Sequence, residues 1–289
     1  MGTGEPFICF HLPRPQRLKS VVLVASSKDI AAKNMYSFIK KEFGEEFRVG
    51  SYEVLLRLVD KEVLYIKEPK DLGANKSDAI IVLSRHSGTP GGPIITTHVP
   101  GNFGPAAYGG EERKISIAMP LFMKNFLIKV RNKAETIGYP IALEPTHHGP
   151  SLDAPISFVE VGSIEENWKD PKACKTVALS VIEALSEGQK QKFTPAIAIG
   201  GLHLNPKFTK IELNSNYAIG HFVRKLDTNY LDLEMLNKAV RRSTSMAQVA
   251  ILDWKGIKGE KRKEITGLLT ELGIKVIKTK DALRGEEVA

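Results

Sequence analysis

The sequence predicts an α/β fold, a layered mixed sheet with helices on both faces. Three observations carry this. Short β-branched apolar runs alternate along the chain with segments whose apolar residues recur at helical spacing. Hydrophobic residues make up 42% and charged residues 26%, the balance of a globular domain, which excludes a disordered chain, a coiled coil and low-complexity sequence. No repeat or Ser/Gly/Pro-rich linker divides the chain, so one domain over residues 1–289 is expected, with a semi-independent lobe from about residue 230.

The elements follow in order. Residues 18–26 (LKSVVLVAS) are apolar and β-branched and read as a buried strand. Behind it, residues 29–43 place Ile30, Ala31, Met35, Phe38, Ile39 and Phe43 on one helical stripe. Residues 52–59 and 63–66 read as two strands turning at Asp60-Lys61. Residues 78–84 form an apolar strand that runs into Arg85-His86-Ser87-Gly88, and residues 93–99 form a strand with His98 at its end. A glycine-rich loop over residues 101–110 precedes a long helix at 120–137. Residues 139–144 are a strand ending in Pro145-Thr146-His147-His148-Gly149-Pro150. Residues 156–161 are a strand, and 171–187 a helix stopped by Gly188. A short strand at 196–199 ends in Gly200-Gly201-Leu202-His203. Strands are expected at 208–213 and 217–223, a helix at 233–242, a strand at 248–252, a helix at 261–272 and a last strand at 274–277.

Lysine and arginine outnumber aspartate and glutamate 41 to 33, a net charge of +8. Such a surface is either simply solvated or attracts a polyanion by neutralising phosphates and releasing counterions. The two cysteines, Cys9 and Cys174, form no CxxC pair, which disfavours a cysteine zinc knuckle or a thioredoxin-like site. No apolar window long enough to span a membrane occurs, and the basic-then-apolar layout of a signal peptide is absent, so a soluble cytoplasmic protein with no membrane partner is expected.

Five of the seven histidines, His86, His98, His147, His148 and His203, stand at or just past the ends of apolar strands. In an open α/β sheet the ligand crevice lies beyond the carboxyl ends of the strands, so these imidazoles are expected on one rim. The segment from Glu144 to Pro150 is the densest group, with one carboxylate and two imidazoles. Neighbouring side chains on an extended backbone point opposite ways, so one of His147 and His148 is expected to face the site, His147 being preferred. Imidazole and carboxylate are the ligands of a catalytic zinc, which acidifies a bound water. The sequence has no HExxH or HxH spacing, no GxSxG elbow and no GxxxxGK[ST] loop, and Gly88-Thr89-Pro90-Gly91-Gly92 is not a dinucleotide fingerprint. The expected catalytic residues are His86, His98, Glu144 and His148. The expected metal ligands are His147, His148, His86 and His203, holding one or two zinc ions. Arg85, Gly101, Asn102 and His221 are expected to bind substrate, and His11 to be structural.

The series Ser84-Arg85-His86-Ser87, Thr97-His98-Val99-Pro100-Gly101-Asn102, Glu144-Pro145-Thr146-His147-His148-Gly149-Pro150, Gly200-Gly201-Leu202-His203 and Gly220-His221 resembles the archaeal and plant type of D-aminoacyl-tRNA deacylase over nearly the whole chain. The resemblance implies a core similar to phosphorylase and peptidyl-tRNA hydrolase folds, a zinc-dependent monomer, and hydrolysis of the ester between a D-amino acid and the tRNA 3′ end. A tRNA partner suits the basic run Lys255, Lys258, Lys261, Arg262 and Lys263 beside Trp254, since basic side chains next to an aromatic hold single-stranded RNA ends. No obligate protein partner is expected. Two other readings stand beside this one. One is a phosphorylase or other hydrolase of a nucleoside-like small molecule, with Arg85 and the glycine loop holding phosphate. The other is a non-catalytic RNA-binding protein with structural histidines.

Overall fold

The computed structural model describes residues 18–75, 78–88, 91–188 and 192–284; Cys9 and His11 lie outside the described residues. In chain order the elements are β1 (Ser20–Ser26), α1 (Ile30–Phe43), β2 (Glu46–Val49), β3 (Tyr52–Val59), β4 (Ala79–Ser87), β5 (Ile94–His98), α2 (Pro120–Thr136), β6 (Ile141–Leu143), β7 (Ile156–Ser163), α3 (Glu165–Lys169) and α4 (Pro171–Ser186). They continue with β8 (Thr194–Ile199), α5 (Pro206–Asn214), β9 (Tyr217–Val223), α6 (Leu233–Arg241), β10 (Val249–Leu252), α7 (Gly259–Glu271), β11 (Lys275–Lys278) and α8 (Thr279–Arg284).

Two sheets result. A mixed seven-stranded sheet runs β2-β3-β1-β4-β7-β5-β6, and a four-stranded sheet runs β11-β10-β8-β9. In the first, β3, β1, β4 and β7 are parallel, while β5 pairs antiparallel with β7 and parallel with β6. The second is parallel throughout and begins at Thr194. The buried side chains of β1, β4 and β7 that face α1, α2 and α4 belong to the same apolar cluster as Ala196, Ile219, Ile251 and Ile277 of the second sheet, so one core joins both sheets. On the second sheet, α6 and α7 cover one face and α5 and α8 the other.

Two expected strands are not strands. Residues 63–66 open with a 3₁₀ turn, Val63–Tyr65, in which Val63 and Ile66 are buried and Tyr65 is exposed. That three-residue spacing is the repeat of a 3₁₀ helix, not the alternation of a strand. The turn covers the β4–β7 face carrying Ile80, Val82, Ile156 and Phe158. Residues 208–213 lie in α5, where Asn205 caps the Lys207 N–H, Pro206 stands in the first turn, and Phe208 and Ile211 share the buried side. Sequence reading also passed over β2, which pairs antiparallel with β3, and the short helices α3 and α8.

Candidate active site

Strand alternation builds the floor of the site. Val82, Ser84 and His86 on β4 lie in register with Phe158, Glu160 and Gly162 on β7, all on one face. The far end of this face is apolar and packs into the core; the near end turns polar at Ser84, His86 and Glu160. From the other side of β7, the antiparallel β5 sets Thr96 opposite Glu160 and His98 opposite Phe158. The expectation of a single rim is thereby corrected. Because β5 and β6 run against β4 and β7, His86 and His98 approach from opposite directions and converge on Glu160 in mid-strand. His86 sits over Gly162, where a Cβ would fall 2.5 Å from the His86 Cβ, so no larger residue fits beneath that imidazole.

Two buried glutamates organise five imidazoles. His86 Nδ1 hydrogen-bonds Glu160 Oε2 at 3.3 Å; Glu144 Oε1 lies 3.0 Å from the same nitrogen but out of line for a hydrogen bond. His98 Nε2 is 3.5 Å from Glu160 Oε1. The other Glu144 oxygen, Oε2, is hydrogen-bonded to His203 Nε2 at 2.9 Å and lies 3.6 Å from His147 Nε2. Burial opposes charge on these groups, but their mutual pairing outweighs it. The Glu160 carboxyl is drawn down to about 2 by His86 and His98, and Glu144 is held well below its usual range by His203 and His86. The two carboxylates in turn lift His86 to about 10.

His147 and His148 behave differently. Each donates its Nδ1–H to a backbone carbonyl, His147 to Pro145 at 2.8 Å and His148 to Gly149 at 2.6 Å. Burial and neighbouring imidazoles push His147 well below its usual value, and burial takes His148 down to about 4. Both are therefore neutral at pH 7, with the Nε2 lone pair free to serve as a ligand. They do not point to opposite sides. His148 has φ +44°, which breaks the extended backbone that alternation requires, and the two ring centroids are 4.3 Å apart.

The donor set fits a metal ion. His98, His147 and His148 offer three nitrogens within 4.8 Å of one another; Glu144, His147 and His203 form a second such group, and His86, Glu144 and Glu160 a third. Neither ring nitrogen of the wholly buried His98 makes a hydrogen bond; burial disfavours its charged form, and chiefly the Glu160 carboxylate, 3.5 Å from Nε2, raises it, so with a cation taking over that charge His98 would stand beside the two lone pairs as a third nitrogen ligand. The expected ligands His147, His148, His86 and His203 thus fall into different groups, with His147 common to two of them.

A cleft of about 1190 Å³ opens above this cluster. Its lining includes the polar Arg85, His86, His147, His148, Glu160 and His203 and the apolar or aromatic Phe103, Tyr108, Leu202 and Tyr230. Of the expected catalytic residues, His86 and His148 face the cleft, whereas His98 and Glu144 are buried beneath it. Sequence reading missed Glu160, which lines the cleft among the histidines; its signal was a lone acid inside a largely apolar strand.

The expected substrate residues divide. Arg85 lines the cleft, its guanidinium bonded to the Lys28 carbonyl at 3.2 Å and set over Trp168. Gly101 and Asn102 line it too, but their polar groups serve the protein. The Gly101 N–H donates to the His148 carbonyl at 2.6 Å, and the Asn102 amide to the Gly109 and Glu111 carbonyls. His221 is not a substrate ligand: it is wholly buried, with Nδ1 paired to Thr146 Oγ1 at 3.0 Å and Nε2 to the Arg242 carbonyl at 2.9 Å. It anchors the loop that carries His147 and His148. In the basic run, Lys255, Lys258 and Lys263 are exposed. Lys261 pairs with Glu264, and Arg262 bonds the Trp254 and Ile257 carbonyls while its guanidinium carbon lies 4.5 Å from the Trp254 ring centroid. Lys278 also lies against that ring, so Trp254 and Arg262 stabilise the lobe and are not an open RNA platform. Lys255 follows the end of β10, and Gly200 that of β8; the two strands are adjacent and parallel, so the run and the His203 loop leave the same sheet edge.

A family model of D-aminoacyl-tRNA deacylases matches residues 74–277. A protein of Korarchaeum cryptofilum (strain OPF8) named D-aminoacyl-tRNA deacylase is 47% identical over 93% of this chain and 96% of its own length. One of the same name from Thermococcus kodakarensis is 41% identical over 70% of this chain and 74% of its own. Among solved structures, that of AF0625, a conserved protein of unknown function, superposes with a TM-score of 0.82 at 29% identity, covering 93% of this chain and 98% of the other.

Proposed function

Since the chain belongs to the D-aminoacyl-tRNA deacylase family, we propose that its cleft hydrolyses the ester joining a D-amino acid to the 3′ end of tRNA, using a divalent ion held by its buried histidines. The observation that carries the metal reading is the triplet His98, His147 and His148, with His98 unpartnered and the other two fixed as Nε2 donors by their backbone hydrogen bonds. Three nitrogen ligands with room for a fourth are the pattern of a catalytic zinc. The neighbouring group of Glu144, His147 and His203 shares His147, whose one free nitrogen can serve a single ion, so the two groups are alternative seats for that ion.

The chemistry such an ion supplies is Lewis acidity toward the ester carbonyl and the attacking water. The remaining steps belong to this chain. Glu160, ionised and lining the cleft, accepts the proton of the attacking water. His86, a hydrogen-bond donor between two carboxylates, holds Glu160 in place with one nitrogen and presents its other face to the cleft. Glu144 keeps His203 and His147 oriented from below, and Arg85 and the exposed Lys255, Lys258 and Lys263 attract the phosphates of the acceptor end. Among the described residues no helix is long and apolar enough to cross a membrane. A monomer working in the cytoplasm as one unit is the assembly that this reading takes.

The test is hydrolysis of D-tyrosyl-tRNA and L-tyrosyl-tRNA by purified protein of known metal content, before and after chelation and zinc reloading. D-ester turnover that falls on chelation and returns with zinc is expected. Phosphate-dependent cleavage of a nucleoside, with no deacylation, would favour a phosphorylase instead.

A further inference from the structure

We propose that Tyr230 is a prebuilt stacking platform for the 3′-terminal adenine of the tRNA; this rests on the deacylase reading and adds a recognition residue to it. Tyr230 lines the cleft and is 41% exposed although its ring is firmly held. One ring face lies flat on Gly104: a Cβ there would meet Cδ2, Cε2 and Cγ at 2.5, 2.6 and 2.7 Å, so only glycine lets the ring settle. Arg113 ties the two together. Its backbone N–H donates to the Gly104 carbonyl and its guanidinium to the Tyr230 carbonyl, both at 3.1 Å. The same guanidinium is fixed by Asp232 at 2.6 Å. A tyrosine backed by main chain on one side, and open to a cleft on the other, has lost most of its freedom before any ligand arrives, which favours stacking.

The choice of adenine follows from the substrate. Every tRNA carries its amino acid on the ribose of a terminal adenosine. The base is therefore a short covalent distance from the ester, and Tyr230 lines the same cleft as the histidine cluster on which the ester would sit. Stacking on an aromatic is tolerant of sequence beyond that base, as a deacylase acting on many tRNA species requires. Of the basic residues just before Tyr230 in the chain, Arg224 lines the cleft but is paired with Asp227 at 2.6 Å, and Lys225 is exposed, so Lys225 is the one left to meet the terminal phosphates.

The experiment uses tRNA carrying 2-aminopurine in place of the terminal adenine, whose fluorescence is quenched by stacking, together with steady-state kinetics on D-tyrosyl-tRNA and on D-tyrosine ethyl ester. Wild type and Y230F quench the probe, and Y230A does not. In Y230A the KM for D-tyrosyl-tRNA rises by about 5- to 150-fold, the range for one stacked base. The loss on the ethyl ester, which has no base, is smaller than this. Y230L, which keeps apolar bulk without a π face, gives the same loss of quenching and serves if Y230A does not fold. Full quenching in Y230A and Y230L, or equal losses on both substrates, overturns the proposal; the latter places the ring against the aminoacyl group. Failure of wild type to cleave D-tyrosyl-tRNA sinks the deacylase reading and is seen before any variant is made.

Discussion

Replacing Glu212 by glutamine should flatten the dependence of stability on pH. Glu212 is wholly buried in α5; Oε2 accepts the Ile219 N–H at 2.9 Å, and Oε1 has no hydrogen-bond partner. Nearby, the Lys124 ammonium is spent on the backbone carbonyls of Glu212, Ser215 and Tyr217. Burial therefore pushes the Glu212 carboxyl up to about 8, with Lys124 and the Ile219 N–H only partly offsetting it. An ordinary glutamate titrates near 4.5, so between these limits the folded protein holds a proton that the unfolded chain has released. The sign follows: the stabilisation is complete below pH 4.5 and is lost as pH rises through about 8. While the two states differ by one proton, each pH unit removes about 1.4 kcal/mol. E212Q keeps an acceptor for Ile219 but cannot ionise. At pH 5 it should be less stable than wild type by about 1–3 kcal/mol, because its amide sets two N–H groups, where the protonated carboxyl sets one O–H, against a site without an acceptor. By pH 8 the gap should close or reverse. Guanidinium denaturation of both proteins at the same metal content, from pH 5 to pH 8.5, reads this as a difference, which cancels the histidines of the active site. A constant gap across that range would refute the assignment of a buried, proton-holding Glu212.

Three further outcomes are expected. In G162A the new methyl meets the His86 Cβ and carbonyl oxygen, both at 2.5 Å, so stability falls by about 1–3 kcal/mol and turnover by about 100-fold as His86 shifts; turnover equal to wild type would show that His86 placement is not critical. H221F removes both hydrogen bonds that anchor Thr146 and Arg242, so metal affinity measured by competition with a chelating dye should fall by about 10–100-fold; unchanged affinity would separate His221 from the histidine loop. In the basic run, K255A and K258A should each reduce the slope of log K for tRNA against log salt by about 0.7–0.9 for every phosphate left without its lysine. R262M should instead lower stability by about 1–3 kcal/mol through its lost carbonyl hydrogen bonds and leave that slope unchanged; the reverse pattern would exchange their roles.

Much of the fold was legible because local pattern and tertiary environment agree. β1 and β4 bury their apolar runs, and α1 buries Ala31, Met35 and Ile39 of its stripe while Ile30 and Phe38 are half-buried and Phe43, at the helix end, is exposed. Agreement failed where a short apolar run had two readings. Residues 208–213 are too short a run to settle by themselves; the three-residue spacing of Phe208 and Ile211 and the Asn205-Pro206 start together decide for a helix. The histidine set was legible as a group of strand-end residues, but its geometry was not. The left-handed backbone at His148 rotates its ring toward that of His147, which no periodicity encodes. Glu160 was hidden for another reason. In an alternating strand a glutamate reads as the solvent side; that it points inward is decided by His86 and His98, which arrive from strands remote in sequence. His221 and Arg262 show the converse, polar residues whose hydrogen bonds are used up inside the protein.

His98 is central to the proposed chemistry as a buried ligand whose ring nitrogens lack a hydrogen bond, and single-turnover hydrolysis of D-tyrosyl-tRNA by H98A, with bound metal measured on the same sample, tests it most directly. The expected result is a folded protein that has lost metal and nearly all turnover together. Full turnover by H98A, or turnover lost while stoichiometric metal stays bound, would contradict it.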